Sequence, residues 1–118
     1  MVLRYMDNTK DDNYYVHKII ENLKFALNNT KKVSLEDFSE NEVLVNAIMF
    51  SFIQISENAS RLSLDYKRKI NDVAWNEIRG IRNKIVHDYD IIEVKTIYDT
   101  VINDFPPMLD SLEKREHN

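Results

Sequence analysis

The chain has 118 residues, and its 16 lysines and arginines against 20 aspartates and glutamates give a formal net charge of −4. That length suits one domain, able to bury roughly two-thirds of its unfolded surface without metals or disulfides. With no cysteine, disulfides and thiolate metal sites are excluded and a reducing cytoplasm is expected; the acidic balance excludes nucleic-acid binding through bulk charge.

One glycine and two prolines leave little turn chemistry for a sheet, so the predicted class is all-α. Residues 1–10 read as a tail with no apolar stretch of the secretory type. A single helical domain is expected over 11–113, with 114–118 as a second tail. The first helix is predicted from Asp11 to Leu27, because Tyr15, Ile19, Leu23 and Leu27 recur at i, i+4 spacing with Val16 and Ile20 beside them. Asn28, Asn29 and Thr30 are expected to end it. Ser34 to Phe38 reads as a short capped turn, and Ser39 with Glu42 as the capping box of the next helix, to about Leu62. Apolar residues between Val43 and Ile55 cover nearly all of that helix's circumference. Such a helix buries a second side, either under its own neighbours or at a subunit interface. Its apolar run is too short to span a bilayer, so no membrane association is expected.

Ser63 is expected to cap a short segment from Leu64 to Ile70, and a third main helix to begin near Trp75 and end near His87 to Tyr89. Asp90 with Glu93 reads as the capping box of the last helix, striped by Val94, Ile97, Tyr98, Val101, Ile102 and Phe105. Pro106 and Pro107 are expected to kink or interrupt it. The predicted architecture is an up-and-down four-helix bundle with a short extra helix.

The chemistry concentrates in the third helix. Arg82, His87 and Tyr89 form an R-x4-H-x-Y pattern. Arginine binds phosphate through two hydrogen bonds, histidine carries protons near neutral pH, and a tyrosine hydroxyl can be modified. Metal-free RNA cleavage needs such groups: a proton carrier for the attacking 2′-OH or the leaving oxygen, and a cation for the phosphoryl charge. Arg79, Arg82, Lys84 and His87 are the candidates for a local basic patch. On a regular helix Arg82 and His87 diverge by about 140°, so they meet only where the helix unwinds or in a symmetric dimer. The alternative is a solvated helix end, with Arg82 paired to Glu77 or Asp88. No metal or cofactor is implied, since His17, His87 and His117 are scattered.

The segment from Ala74 to Tyr89 closely resembles the W-x-x-I-x-G-x-R-N-x-x-V/I-H-x-Y segment of HepT-like proteins in the HEPN superfamily. Ser34 to Phe38 is similar to that family's link between helices. Gln54 to Ser63 is similar to its I-G-E-A-A-x-R-L-S stretch, with Ser56 in place of the glycine, and Asp104 to Pro107 to its D-L-P element. The resemblance implies a homodimeric HEPN bundle acting as a metal-independent ribonuclease toxin. It further implies a cognate minimal nucleotidyltransferase antitoxin of the MntA type that transfers AMP to the motif tyrosine. Carried over, Arg82 and His87 are catalytic, Tyr89 is the modification site, and Asn83 and Glu57 support them, Glu57 as a partner of Arg82. Gly80 is expected in close helix packing and Trp75 as a core anchor. The alternative is a non-catalytic adaptor subunit of a nucleotidyltransferase complex.

Overall fold

The computed structural model describes residues 11–88 and 92–116, which form seven helices and no strand. The elements are α1 (Asp12–Thr30), α2 (Leu35–Glu40), α3 (Glu42–Ser60), α4 (Leu64–Lys69), α5 (Trp75–Asp88), α6 (Val94–Asn103) and α7 (Phe105–Glu116). The all-α bundle is as expected: α1, α3, α5 and the α6–α7 pair are its arms. Two short helices, α2 and α4, are present rather than one.

Local polar groups fix the helix ends. Asp11 caps α1 by accepting from the Tyr14 amide. The predicted stop at Asn28 is not used. Asn29 donates to the Phe25 carbonyl and Thr30, 1% exposed, to that of Ala26, both at 2.8 Å. A polar side chain can bond back to the carbonyl one turn earlier without leaving the helix, so these residues need not stop it. It reverses at Lys32, whose φ of 62° is left-handed. Ser39 does not cap α3. Its hydroxyl donates to the Leu35 carbonyl inside α2, and the cap is Asn41, which accepts from the Leu44 amide at 3.0 Å. The chain reads S-E-N-E here, and the asparagine sits next to the first helical residue, where a cap must be. The helix ends at Ser60, not Leu62. Ser63 caps α4 as expected.

The last arm departs most. Asp90 lies outside the described residues, and α6 begins at Val94 after an N-cap Glu93 that makes no side-chain capping bond. The arm breaks at Asp104, before the prolines. Pro106 and Pro107 occupy the first turn of α7, where amide hydrogens have no intrahelical partner and proline is accommodated.

Ile19, Leu23, Phe38, Ile48, Ile55, Ile70, Ile97, Val101 and Leu112 are fully buried. Burial of each such side chain contributes roughly 1.5–3 kcal/mol. Central α3 packs against α1, α2, α5 and α6, which explains most of its all-round apolarity. Its outer ridge is not covered: Val43 is 81% and Phe50 59% exposed. Asp12 joins α1 to the α3–α4 link by accepting from the Ser63 amide at 2.8 Å and hydroxyl at 2.6 Å. Tyr98 donates to the Val33 carbonyl at 2.6 Å, tying α6 to the α1–α2 link. Among the described residues no helix is long and apolar enough to cross a membrane.

Candidate functional site

The second half of α3, α4 and the front of α5 enclose a cleft of about 470 Å³ lined by Glu57, Lys67, Trp75, Arg79, Arg82 and Asn83. The buried stripe of α5, centred on Ile85 and flanked by Ile78 and Ile81, faces the core. That leaves Arg82 on the shoulder beside α3. Trp75 packs at the core edge and donates its indole N–H to the Ile70 carbonyl at 3.1 Å. It anchors the start of α5, as expected.

Arg82 is the best-held polar side chain of the cleft. Its Nη2 lies 2.5 Å from Glu57 Oε1, and its Nη1 donates to Asn83 Oδ1 at 3.1 Å. The side chains of Arg82 and Glu57 keep 29% and 37% of their exposure. The arginine therefore pairs across helices with Glu57, and not with Glu77 on its own helix; the Asp88 side chain lies outside the described ones. A guanidinium has five N–H donors in a fixed fork. Two are used by these contacts, so the remainder can take an anion without displacing Glu57. Arg79 donates to Asn76 Oδ1 at 3.0 Å, which leans it over the same cleft. Among the described lining residues, Lys67, Arg79 and Arg82 thus face one carboxylate, Glu57.

The basic patch is not the one expected. Arg79 and Arg82 share the cleft, but Lys84 and His87 do not line it. At 100° per residue, Lys84 projects about 160° away from Arg82. The missing member is Lys67 of α4, whose last turn reads Lys67-Arg68-Lys69. That run was the sequence signal for it.

His87 stays on the regular helix, which continues to Asp88. It is exposed and shares an outer face with Gly80 and Asn83. The expected unwinding that would turn it toward Arg82 does not occur within the described residues. Asn83 stands between the two, one turn before His87 and hydrogen-bonded to Arg82. Gly80 is also not where it was expected. Among the described residues a Cβ built on it meets nothing within 4 Å, so it serves no helix packing between them. Tyr89 and His117 lie outside the described residues. Among the described residues, His17 is exposed on α1, and no group of three or more histidines and carboxylates is arranged to hold a metal.

Comparison with known proteins adds the lineage. The chain matches the family described as Ribonuclease HepT-like over residues 19–115. A protein of Caldanaerobacter subterraneus subsp. tengcongensis bearing the name "Putative RNase" is 30% identical over 94 residues, 80% of this chain and 84% of that protein. A Methanocaldococcus jannaschii protein also named "Putative RNase" is 28% identical over 105 residues, 89% of this chain and 87% of that protein. One from Thermococcus cleftensis named "Probable ribonuclease HepT" is 26% identical over 100 residues, 85% of this chain and 91% of that protein. No solved structure matches the chain.

Proposed function

The chain belongs to the HepT-like ribonuclease family, and from that premise we propose that it is a metal-independent endoribonuclease, the toxin of a type VII-like toxin–antitoxin pair. The observation that carries this reading is the held Arg82 in a cation-lined cleft. An RNA phosphate seated there meets the free N–H groups of the fork, which stabilise the charge that grows on its oxygens as the 2′-OH attacks. Proton transfer falls to His87. Asn83 and Glu57 position Arg82 from two sides. The protein acts in the cytoplasm as a homodimer, its two α5 helices approaching where Gly80 carries no side chain.

Regulation follows at Tyr89. The cognate minimal nucleotidyltransferase adds AMP to its hydroxyl, two residues from His87. The new phosphate brings negative charge and bulk to the place where RNA phosphates bind, and repels them. A second reading, a non-catalytic adaptor subunit of the nucleotidyltransferase complex, is favoured by one observation: Arg82 and His87 diverge on one regular helix.

The test separates the two. The chain expressed alone is expected to arrest growth and cleave RNA in EDTA, and His87→Ala to do neither. A dimeric wild type that cleaves nothing leaves the adaptor reading. Incubation with the nucleotidyltransferase and ATP is expected to add AMP mass to the Tyr89 peptide and none to Tyr89→Phe.

A further inference from the structure

A second groove opens on the other flank of the α3 ridge, between α1 and α3. It has a volume of about 550 Å³ and involves neither Arg82 nor Glu57. Tyr14, Lys18, Glu21 and Asn22 form one wall, with Lys18 3.5 Å from the exposed Glu21 carboxylate; Phe50, Gln54, Asn58 and Arg61 form the other. Two aromatic rings here are open to solvent, Tyr14 at 40% and Phe50 at 59%. Tyr15 meets Tyr14 edge-on with ring centroids 5.3 Å apart, and the Lys18 ammonium sits 5.8 Å from the Tyr14 centroid. Asn58, 7% exposed, donates its amide to the Gln54 carbonyl at 2.8 Å. The groove is preassembled, because the Asp12–Ser63 hydrogen bonds clamp the start of α1 to the segment that carries Arg61.

We infer that this groove binds a nucleotide of single-stranded RNA beside the one held at Arg82, an inference that rests on the ribonuclease reading above. Each wall matches one part of a nucleotide. The rings of Phe50 and Tyr14 offer stacking faces for a base, the amide of Gln54 can meet a base edge, and Arg61 suits a phosphate, while Lys18 offsets the Glu21 carboxylate beside it. A volume of this size lies within the range of small-ligand sites. Placement fits as well. Gln54 and Arg61 fall within one turn of Glu57 along α3, a few ångströms of axial rise, so one strand crossing the ridge reaches both sites. An apolar protein surface fits less well. It would cover Phe50 but strip water from Lys18, Gln54 and Arg61 without replacing their partners.

The probe is a fluorescein-labelled single-stranded oligoribonucleotide, fully 2′-O-methylated so that no 2′-OH can attack. Anisotropy titrations compare the full chain with Phe50→Ala and Arg61→Gln, both surface changes whose folding is checked by circular dichroism. Loss of a stacking ring is expected to weaken binding about 5- to 100-fold. Arg61→Gln is expected to weaken it and to lower the slope of log K against log salt by about 0.7, one phosphate contact. A 4-thiouridine version is expected to crosslink to the Tyr14 or Phe50 peptide. Affinities within twofold of wild type for both variants, crosslinks only elsewhere, or no binding by the wild type overturn the inference. So does a Phe50→Ala protein that binds normally but changes from dimer to monomer in sedimentation, which would make the groove a contact between chains. Cleavage of ordinary RNA by wild type and His87→Ala is scored separately. Groove binding without cleavage sinks the ribonuclease reading and leaves the groove; cleavage with unchanged groove variants does the reverse.

Discussion

Glu57→Gln tests whether Arg82 is held by an ion pair that the fold uses. The glutamine keeps the shape and one acceptor oxygen, so only the charge is removed. Unit charges about 4 Å apart attract by about 4 kcal/mol at an effective dielectric near 20. That figure is a ceiling, because the two side chains are 29% and 37% exposed and water screens them. Exposed pairs contribute roughly 0.2–1 kcal/mol, and charge-assisted hydrogen bonds roughly 1.5–3 kcal/mol. The 2.5 Å contact at the mouth of a cleft falls between these ranges, at about 1 kcal/mol. In a chain of 118 residues such a loss lowers Tm by about 4 °C. Calorimetry reads the shift, and a double-mutant cycle with Arg82→Gln isolates the pair. The expected coupling is about 1 kcal/mol at low salt and smaller at high salt. A coupling below about 0.2 kcal/mol would show that the arginine is not tethered. In a cleavage assay the same variant is expected to lower KM, since a negative charge beside the RNA phosphate is gone, and to lower kcat, since the fork is less well aimed.

Arg82→Lys keeps the charge but loses the fork, and kcat is expected to fall about 10²- to 10³-fold in a fluorogenic RNA assay; near wild-type turnover would mean that charge alone suffices. Gly80→Ala adds a methyl that meets none of the described residues of its own chain, so in the proposed dimer, where a second α5 comes close at this glycine, it is expected to weaken dimerisation in sedimentation and to lower Tm. A variant that stays dimeric and gains the roughly 0.5–1 kcal/mol of helix propensity would show that no second chain covers this face. Tyr98→Phe removes the hydrogen bond to the Val33 carbonyl and is expected to cost about 1 kcal/mol in urea unfolding, with no change if water replaces the hydroxyl there.

Periodicity made the helices legible, and competing polar groups decided their ends. The stripe from Tyr15 to Leu27 located α1, yet Asn29 and Thr30, residues that commonly stop helices, lie inside it with their side chains bonded back to carbonyls. Ser39 and Asn41 both have capping chemistry; only the second is adjacent to the first turn. The cleft was half legible. The spacing of Arg82 and His87 is written in the sequence, and Glu57 was named as a partner of Arg82, a contact the fold makes. Lys67 stands in a visible basic run, Lys67-Arg68-Lys69, but nothing local in that run says that its short helix turns toward Arg82. A helical glycine costs about 1 kcal/mol against alanine, which points Gly80 to packing; the described residues leave open space around it, so that packing is not among them.

The divergence of Arg82 and His87 leads to the sharpest test of the dimer. An arc of about 140° around a helix some 10–12 Å across, with about 7.5 Å of rise, separates the two side chains by roughly 13 Å. A proton donor must come within about 2.6–3.2 Å of the oxygen it serves. One phosphate cannot meet both groups of a single chain while α5 stays regular. In the proposed homodimer the difficulty disappears if His87 of one chain serves the cleft of the other. Mixing two inactive variants then restores activity. A dimer of Arg82→Ala with His87→Ala has one site with both residues and one with neither. Random exchange makes half the dimers mixed, so about a quarter of wild-type activity is expected. Each variant alone should show none, and dilution below the dimer dissociation constant should abolish the recovery. If subunits exchange, as shown by mass-labelled copies, and no activity returns, Arg82 and His87 do not form a site across the interface.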